Sequence, residues 1–452
     1  MKTVKADSLL SRIADVPNER VLLNLDSVCV TYGEVKQLAS TFAQEHHNLI
    51  GRHCALVSDD RASLALFLPA IDSLSASTLL LPNDLKAAPE SFYRSSGVEF
   101  VIHVGERSVQ SVEECSPKDT EQDAVNVDGE FILATSGTTG TPKLVSYSLN
   151  SLTATAVKNI ERGGEFMWGL TYDINRFAGL QVYLQAILSG STIVISSSCN
   201  SVDALVSCYI DSKVNSLSAT PSFWRKLLMH KRHADIPLKR ITLGGEISHQ
   251  SVLNALGTSF PSARIVHIYA STEAGVGFAV KDMREGFPVS LLNSDSISGL
   301  GLKVVDGMLW VKSTNGCRKF LNSSIETDVD GFISTGDLVK VDGGRVYFIG
   351  RDSGSINVGG NKVMPEKVEA ILEDCTLVSL AKISAKKSSI MGSIISAEVV
   401  LSELEGSLTK AEAKKEILAH CKALLQSFEV PALIRFVDEI ETNATGKKNR
   451  KI

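Results

Sequence analysis

Apolar residues fall in short runs through the first three-quarters of the chain, and helical patterns lie between them. "TIVIS" (192–196), "RITL" (Arg240–Leu243) and "RIVHIY" (264–269) are brief and rich in β-branched residues, as buried strands are. Val202, Leu205, Val206, Tyr209 and Ile210 recur at the three- and four-residue spacing of a single helix face. Further helices are predicted at 222–230 and 250–256. This alternation predicts an α/β protein with layered, substantially parallel sheets.

The pattern changes near residue 350. The glycine-dense stretch "GRVYFIGRDSGSINVGGNK" (344–362) breaks up two short apolar runs and suits turns and a hinge. About 100 residues remain, enough for a small domain. They predict an α+β unit: strands in "SIISAEVVL" and "ALIRFVDEI", and a helix with Ile417, Cys421, Leu424, Leu425 and Phe428 on its apolar face. The expected organisation is a large N-terminal domain, residues 1–351, and a small mobile C-terminal domain, residues 352–452.

Composition narrows the classes. The chain has 452 residues, 44% hydrophobic and 21% charged, an ordinary globular balance. A net charge of -5 carries no basic footprint, so nucleic acid is not expected as a partner. No run approaches a membrane span, and the first residues lack the apolar core of a signal peptide. The eight cysteines are scattered without a C-x-x-C pair, which signals neither zinc nor a disulfide framework. A cytoplasmic protein with reduced thiols is the expectation; the oligomeric state is not legible.

Candidate chemistry begins at "ATSGTTGTPK" (134–143), after the apolar run Phe131-Ile132-Leu133. Its glycines permit positive φ and close approach of amides to a ligand. Successive amides can form a concave nest for an anion. Ser136, Thr138, Thr139 and Thr141 add hydroxyls, and Lys143 adds a charge. A phosphate cradle fits, but Gly137 and Gly140 do not have Walker A spacing. Composition alone leaves a polar surface loop equally open.

Further motifs decide between these readings. "VTYGEV" (30–35), "YASTEAG" (269–275), "STGDL" (334–338), "GRDSGSINVGGNKVMPEKVE" (350–369) and "NATGKKNR" (443–450) follow in order. Together with the loop they resemble the signatures of the adenylate-forming (AMP-binding) superfamily over nearly the whole chain. The likeness is to acyl- and aryl-CoA synthetases of the o-succinylbenzoate– or 4-coumarate–CoA ligase type. It implies an enzyme that uses ATP and Mg²⁺ to convert a carboxylic acid into an acyl-adenylate, releasing pyrophosphate. The acyl group then passes to the thiol of CoA, or of a carrier protein's phosphopantetheine. A catalytically idle nucleotide-binding homologue is the alternative from another class; retention of Glu273, Asp337 and Lys447 argues against it.

The resemblance also implies roles. Thr135, Ser136, Gly137, Thr138, Thr139, Gly140 and Lys143 would grip the phosphates. Glu273 would hold Mg²⁺ with Thr138, and Thr272 would touch the α-phosphate. Asp337 would accept from both ribose hydroxyls, with Arg351 as a ribose or phosphate contact. Gly244, Gly245, Glu246 and Tyr269 complete the nucleotide site. Lys447 would bridge the substrate carboxylate and the α-phosphate, leaving Lys448 and Lys451 as solvated tail. The small domain would turn about Asp352 or Ser353 between half-reactions, bringing Gly359 and Gly360 to a thiol tunnel.

Three positions depart from the family pattern. Ser353 stands where the hinge Asp or Lys is usual, with Asp352 one residue earlier. Ala270 replaces the glycine of "YGxTE". In the acyl-pocket motif, which also includes Phe177 and Gly179, Arg176 stands where histidine is common. Arg176 would either read a second acidic or polar group of the substrate, or gate the pocket and pair with Asp173.

Overall fold

The computed structural model describes residues 5–25, 28–85, 89–115, 130–135, 142–196, 201–292, 299–324, 327–388, 392–402, 408–442 and 447–448. Among these, eight strands form one sheet and seven another. The first sheet is parallel from Val21–Leu25 through Thr192–Val194, Met167–Gly169, Ser216–Ala219 and Arg240–Leu243 to Arg264–Ser271. An antiparallel neighbour closes each edge. The helices Val202–Asp211, Pro221–Leu228 and Gln250–Ser259 connect these strands much as the periodicity predicts. Their starts are chemically marked. Ser201 accepts from the amide of Ala204, and Thr220 from that of Phe223, with Pro221 at the first helical position.

One hydrophobic core lies between the two sheets and holds two helices, Arg61–Leu74 and Phe177–Leu188. From Ala62 to Leu74 every residue of the first helix is buried, so it is apolar on all sides. Pro69 lies inside this helix and has no N–H to give the carbonyl four residues back, that of Ala65. The hydroxyl of Tyr183, on the second helix, donates to that carbonyl at 2.7 Å. The helix thus keeps its proline without leaving a buried acceptor bare.

A five-stranded antiparallel sheet follows, with Ile333–Asp342 paired to Arg345–Arg351. Beyond it, residues from Ile356 to Ile434 build a separate core. There the helices Pro365–Asp374 and Lys410–Leu424 pack with the sheet Val378–Ser388, Gly392–Leu401 and Leu433–Phe436. The predicted amphipathic helix overruns its end. Leu424 is 52% exposed, and the chain turns extended at Leu425. Leu425 and Phe428 still reach the core, but from non-helical backbone, where the helical period no longer places side chains. Among the described residues no helix is long and apolar enough to cross a membrane.

Candidate active site

A cavity of about 1480 Å³ opens where the ends of the two large sheets, the antiparallel sheet and the chain's last described residues meet. Thr135 and Lys143, the two described ends of the glycine loop, line it. They close the loop's neck: the Thr135 amide donates to the Lys143 carbonyl at 2.8 Å, and the Lys143 amide to the Thr135 hydroxyl at 3.1 Å. Asn322 braces the neck from outside. It accepts from the Leu144 amide at 2.7 Å and donates to the Pro142 carbonyl at 2.9 Å. No sequence signal marked Asn322. The expected phosphate and metal contacts Ser136, Gly137, Thr138, Thr139 and Gly140 lie outside the described residues.

Asp337 and Arg351 face each other across the antiparallel pair, so their fourteen-residue separation is the register of a hairpin. Arg351 Nε donates to Asp337 Oδ1 at 3.0 Å, and the Tyr269 hydroxyl to Oδ2 at 2.7 Å. Each carboxylate oxygen retains a further acceptor site, since the group accepts about four hydrogen bonds. The Tyr269 ring stacks on Phe278 and on Phe348, with centroids 5.3 Å away in each case. These contacts hold the carboxylate in a fixed orientation.

Thr272 and Glu273 occupy the turn between Arg264–Ser271 and Gly275–Val280, and both line the cavity. Gly275 has φ +74, and a Cβ there would come within 2.5 Å of the Asn315 carbonyl. Only glycine lets this turn lie so close to the neighbouring chain. The Tyr147 hydroxyl donates to the Thr272 carbonyl and secures the turn from below. A β-bulge between Tyr269 and Ala270 shifts the register and places Ala270 on the cavity wall. Among the described residues, no cluster of three or more His, Cys, Asp or Glu could hold a metal ion. The single carboxylate of Glu273 suits Mg²⁺ instead, which keeps waters and binds through few carboxylates plus substrate phosphates.

Lys447 enters the cavity from the far end of the chain. Gly245, φ +83, lies beneath it, and a Cβ at Gly245 would sit 3.3 Å from Lys447 Cε. Burial and the neighbouring Arg351 guanidinium lower the Lys447 pKa against the pull of Glu246, Asp337 and Glu273. Glu246 joins two elements. Its Oε2 accepts from the Ser222 amide at 2.9 Å and its Oε1 from the Lys448 amide at 3.2 Å.

Lys448 is not solvated tail. Its side chain is 7% exposed, and Nζ lies 3.0 Å from Glu369 Oε2 and 2.7 Å from Glu373 Oε1. Burial alone would lower its pKa, but the two carboxylates raise it. The sequence hid this contact because both partners sit on a helix some seventy-five residues away.

On the acyl side, Arg176 and Phe177 line the cavity. Arg176 is buried and pairs with Asp84, whereas Asp173 pairs with Arg61 at 2.7 Å. The expected alternative of an Arg176–Asp173 pair is therefore replaced by two separate pairs. Gly179 does not line the cavity: a Cβ there would lie 2.0 Å from the Asp173 carbonyl, so the position serves helix packing. Ser353 lines the cavity, while Asp352 turns away to pair with Lys362 at 2.9 Å. Gly359 and Gly360 form the exposed turn of a small hairpin outside the cavity, with φ +57 and +91.

Comparison with known proteins agrees with this arrangement. The family model described as AMP-binding enzyme matches residues 11–307, and that of the AMP-binding enzyme C-terminal domain matches residues 367–447. The 2-succinylbenzoate–CoA ligase of Bacillus pumilus is 24% identical, over 99% of this chain and 97% of that protein. A plipastatin synthase of Bacillus subtilis is 24% identical over 71% of this chain but only 14% of its own length. Among solved structures, an anthranilate CoA ligase in complex with anthranoyl-AMP superposes with a TM-score of 0.77 at 16% identity, covering 98% of this chain and 95% of that one. The o-succinylbenzoate CoA synthetase of Bacillus subtilis, in complex with its acyl-adenylate intermediate, gives 0.72 at 22% identity, covering 98% and 96%. The first family match alone spans more than half of the sequence, and the chain belongs to the AMP-binding enzyme family.

Proposed function

We propose that this protein is an ATP-dependent acid–thiol ligase that makes an acyl-CoA through an acyl-adenylate. In the first half-reaction a substrate carboxylate oxygen attacks the α-phosphorus of ATP, and pyrophosphate leaves. In the second, the CoA sulfur, having lost its proton, attacks the acyl carbon, and AMP leaves. The observation that carries this reading is the meeting of Lys447, Asp337, Arg351, Glu246 and Glu273 on one cavity. They come from widely separated parts of the chain, and a nucleotide with its acyl group is the ligand that would use them together.

Lys447 would place its charge between the carboxylate and the α-phosphate, where negative charge builds up in the transition state. Asp337, oriented by Tyr269 and Arg351, would accept from the ribose hydroxyls. Mg²⁺, held by Glu273 and the ATP phosphates, would supply further charge neutralisation. The glycine loop 134–143 would grip the pyrophosphate. Under this reading the large domain ends at Arg351, and the small domain begins at Asp352 and turns about Asp352 or Ser353. ATP and CoA as co-substrates suit a cytoplasmic setting.

The acceptor is read as CoA because the CoA ligases match along their full length, whereas the plipastatin synthase matches through a fraction of its own. Pyrophosphate exchange across aliphatic, aromatic, dicarboxylic and amino acids tests the first half-reaction. The active acid is then offered with CoA and, separately, with a holo carrier protein. Exchange with no acid at saturating Mg²⁺ would overturn the ligase reading, and acylation of the carrier alone would overturn the choice of CoA.

A further inference from the structure

Four charged side chains outside the proposed reaction centre join the small domain to the large one. Glu373 and Glu369 lie on the helix Pro365–Asp374 of the small domain. Arg225 lies on the helix Pro221–Leu228 of the large domain, and Lys448 on the tail beside Lys447. Arg225 Nε meets Glu373 Oε2 at 3.0 Å, and Lys448 Nζ bridges Glu373 and Glu369. All four side chains are at most 12% exposed.

The remaining polar atoms of this cluster are also engaged. Arg225 donates to the Ser251 hydroxyl at 2.6 Å. Glu373 and Glu369 accept from the amides of Ala381 and Ile383 at 3.1 and 2.8 Å, so the small domain's own sheet orients them. The two carboxylates thus face one cation from the large domain and one from the tail. Removing either cation leaves buried negative charge undercompensated, which is far costlier than losing a surface pair.

We propose that Arg225, Glu373, Glu369 and Lys448 form a latch that seats the small domain in the position delivering Lys447 to the nucleotide, and that this latch opens before thiol attack. The proposal rests on the ligase reading above. Arg225 and Lys448 act here as positioning residues, because they reach the reaction only through the placement of Lys447. The same contact that anchors Lys448 to the small-domain helix fixes the direction in which its neighbour points. Through its main-chain amide Lys448 is tied to Glu246 as well, so both ends of the connection are held.

The test separates the half-reactions in the full-length protein. Arg225→Gln and Lys448→Met are each assayed for pyrophosphate exchange, and for thioester formation from supplied acyl-adenylate and CoA. The latch predicts a loss of about tenfold or more in exchange, with thioester formation kept within about twofold. Equal losses in both halves, or unchanged exchange, would overturn it. Small-angle X-ray scattering of the ligand-free proteins gives a second reading that needs no substrate. The variants should show a broader distribution of dimensions than the parent, and superimposable curves would refute the latch. If the parent protein exchanges pyrophosphate with no acid, the ligase reading fails, and scattering still decides whether these residues seat the domain.

Discussion

At the scale of single residues, two side chains bear most directly on the chemistry. Lys447 must be protonated to bridge two anions, yet burial and Arg351 lower its pKa. A lowered pKa means the charge is lost at a lower pH than for an ordinary lysine. The rate of the adenylation half-reaction, read as kcat/KM so that it reports the free enzyme, should therefore fall on the alkaline side before pH reaches the ordinary lysine value of about 10.4. Lys447→Ala should cut pyrophosphate exchange by about a hundredfold or more while largely sparing thioester formation from supplied acyl-adenylate. Survival of both halves would remove Lys447 from its proposed role. Arg176 is the second case. Its buried charge is already met by Asp84, whose side chain is half exposed. Arg176→Ala should then lower activation of mono- and diacids about equally, whereas Asp84→Ala should free the guanidinium and favour diacids. A loss confined to diacids in Arg176→Ala would show that the substrate displaces Asp84.

Secondary-structure elements add constraints that single residues do not show. The helix Arg61–Leu74 carries Pro69 in its interior, and the Ala65 carbonyl depends on Tyr183. Tyr183→Phe should cost about 1–3 kcal/mol in denaturant unfolding, because a buried acceptor loses its donor. In a Pro69→Ala background the amide at position 69 can satisfy that carbonyl, and the cost should shrink. Additive effects in this cycle would mean that the two positions are independent. Much of this level was legible in advance. Short β-branched runs and helical spacing located the central elements because each buries one face or both. The end of the helix Lys410–Leu424 was missed, since Leu425 and Phe428 continue the apolar phase after the backbone has left the helix. Gly179 was misplaced for a related reason: a glycine in a motif does not reveal whether it faces a ligand or, as here, a crossing backbone.

At the scale of the whole molecule, the reaction needs two arrangements and the structure holds one of them. Lys447 is in the cavity, and the turn at Gly359 and Gly360 is outside it. If the small domain turns to present that hairpin for thiol attack, Gly359→Asn should affect the second half-reaction selectively. Asparagine tolerates the φ of +57 at this turn, so the fold should be kept. We expect pyrophosphate exchange within about twofold of the parent and thioester formation lowered about tenfold. Parallel losses would count against rotation.

The sequence alone determined the α/β class, the layout of a large and a small unit, and a set of motifs whose types suit an acid, a nucleotide and a metal. These are local properties: periodicity, turn chemistry and the donor or acceptor character of each side chain act over a few residues. Only the tertiary structure decided which charges meet. Arg176 pairs with Asp84 rather than Asp173, and Lys448 is buried against Glu369 and Glu373 rather than solvated. Such pairings depend on distances in space between residues far apart in the chain, and nothing in the local pattern encodes them. The glycine loop illustrates the division: its composition suited a phosphate, but the hydrogen bonds that close its neck and the cavity below it come from the fold.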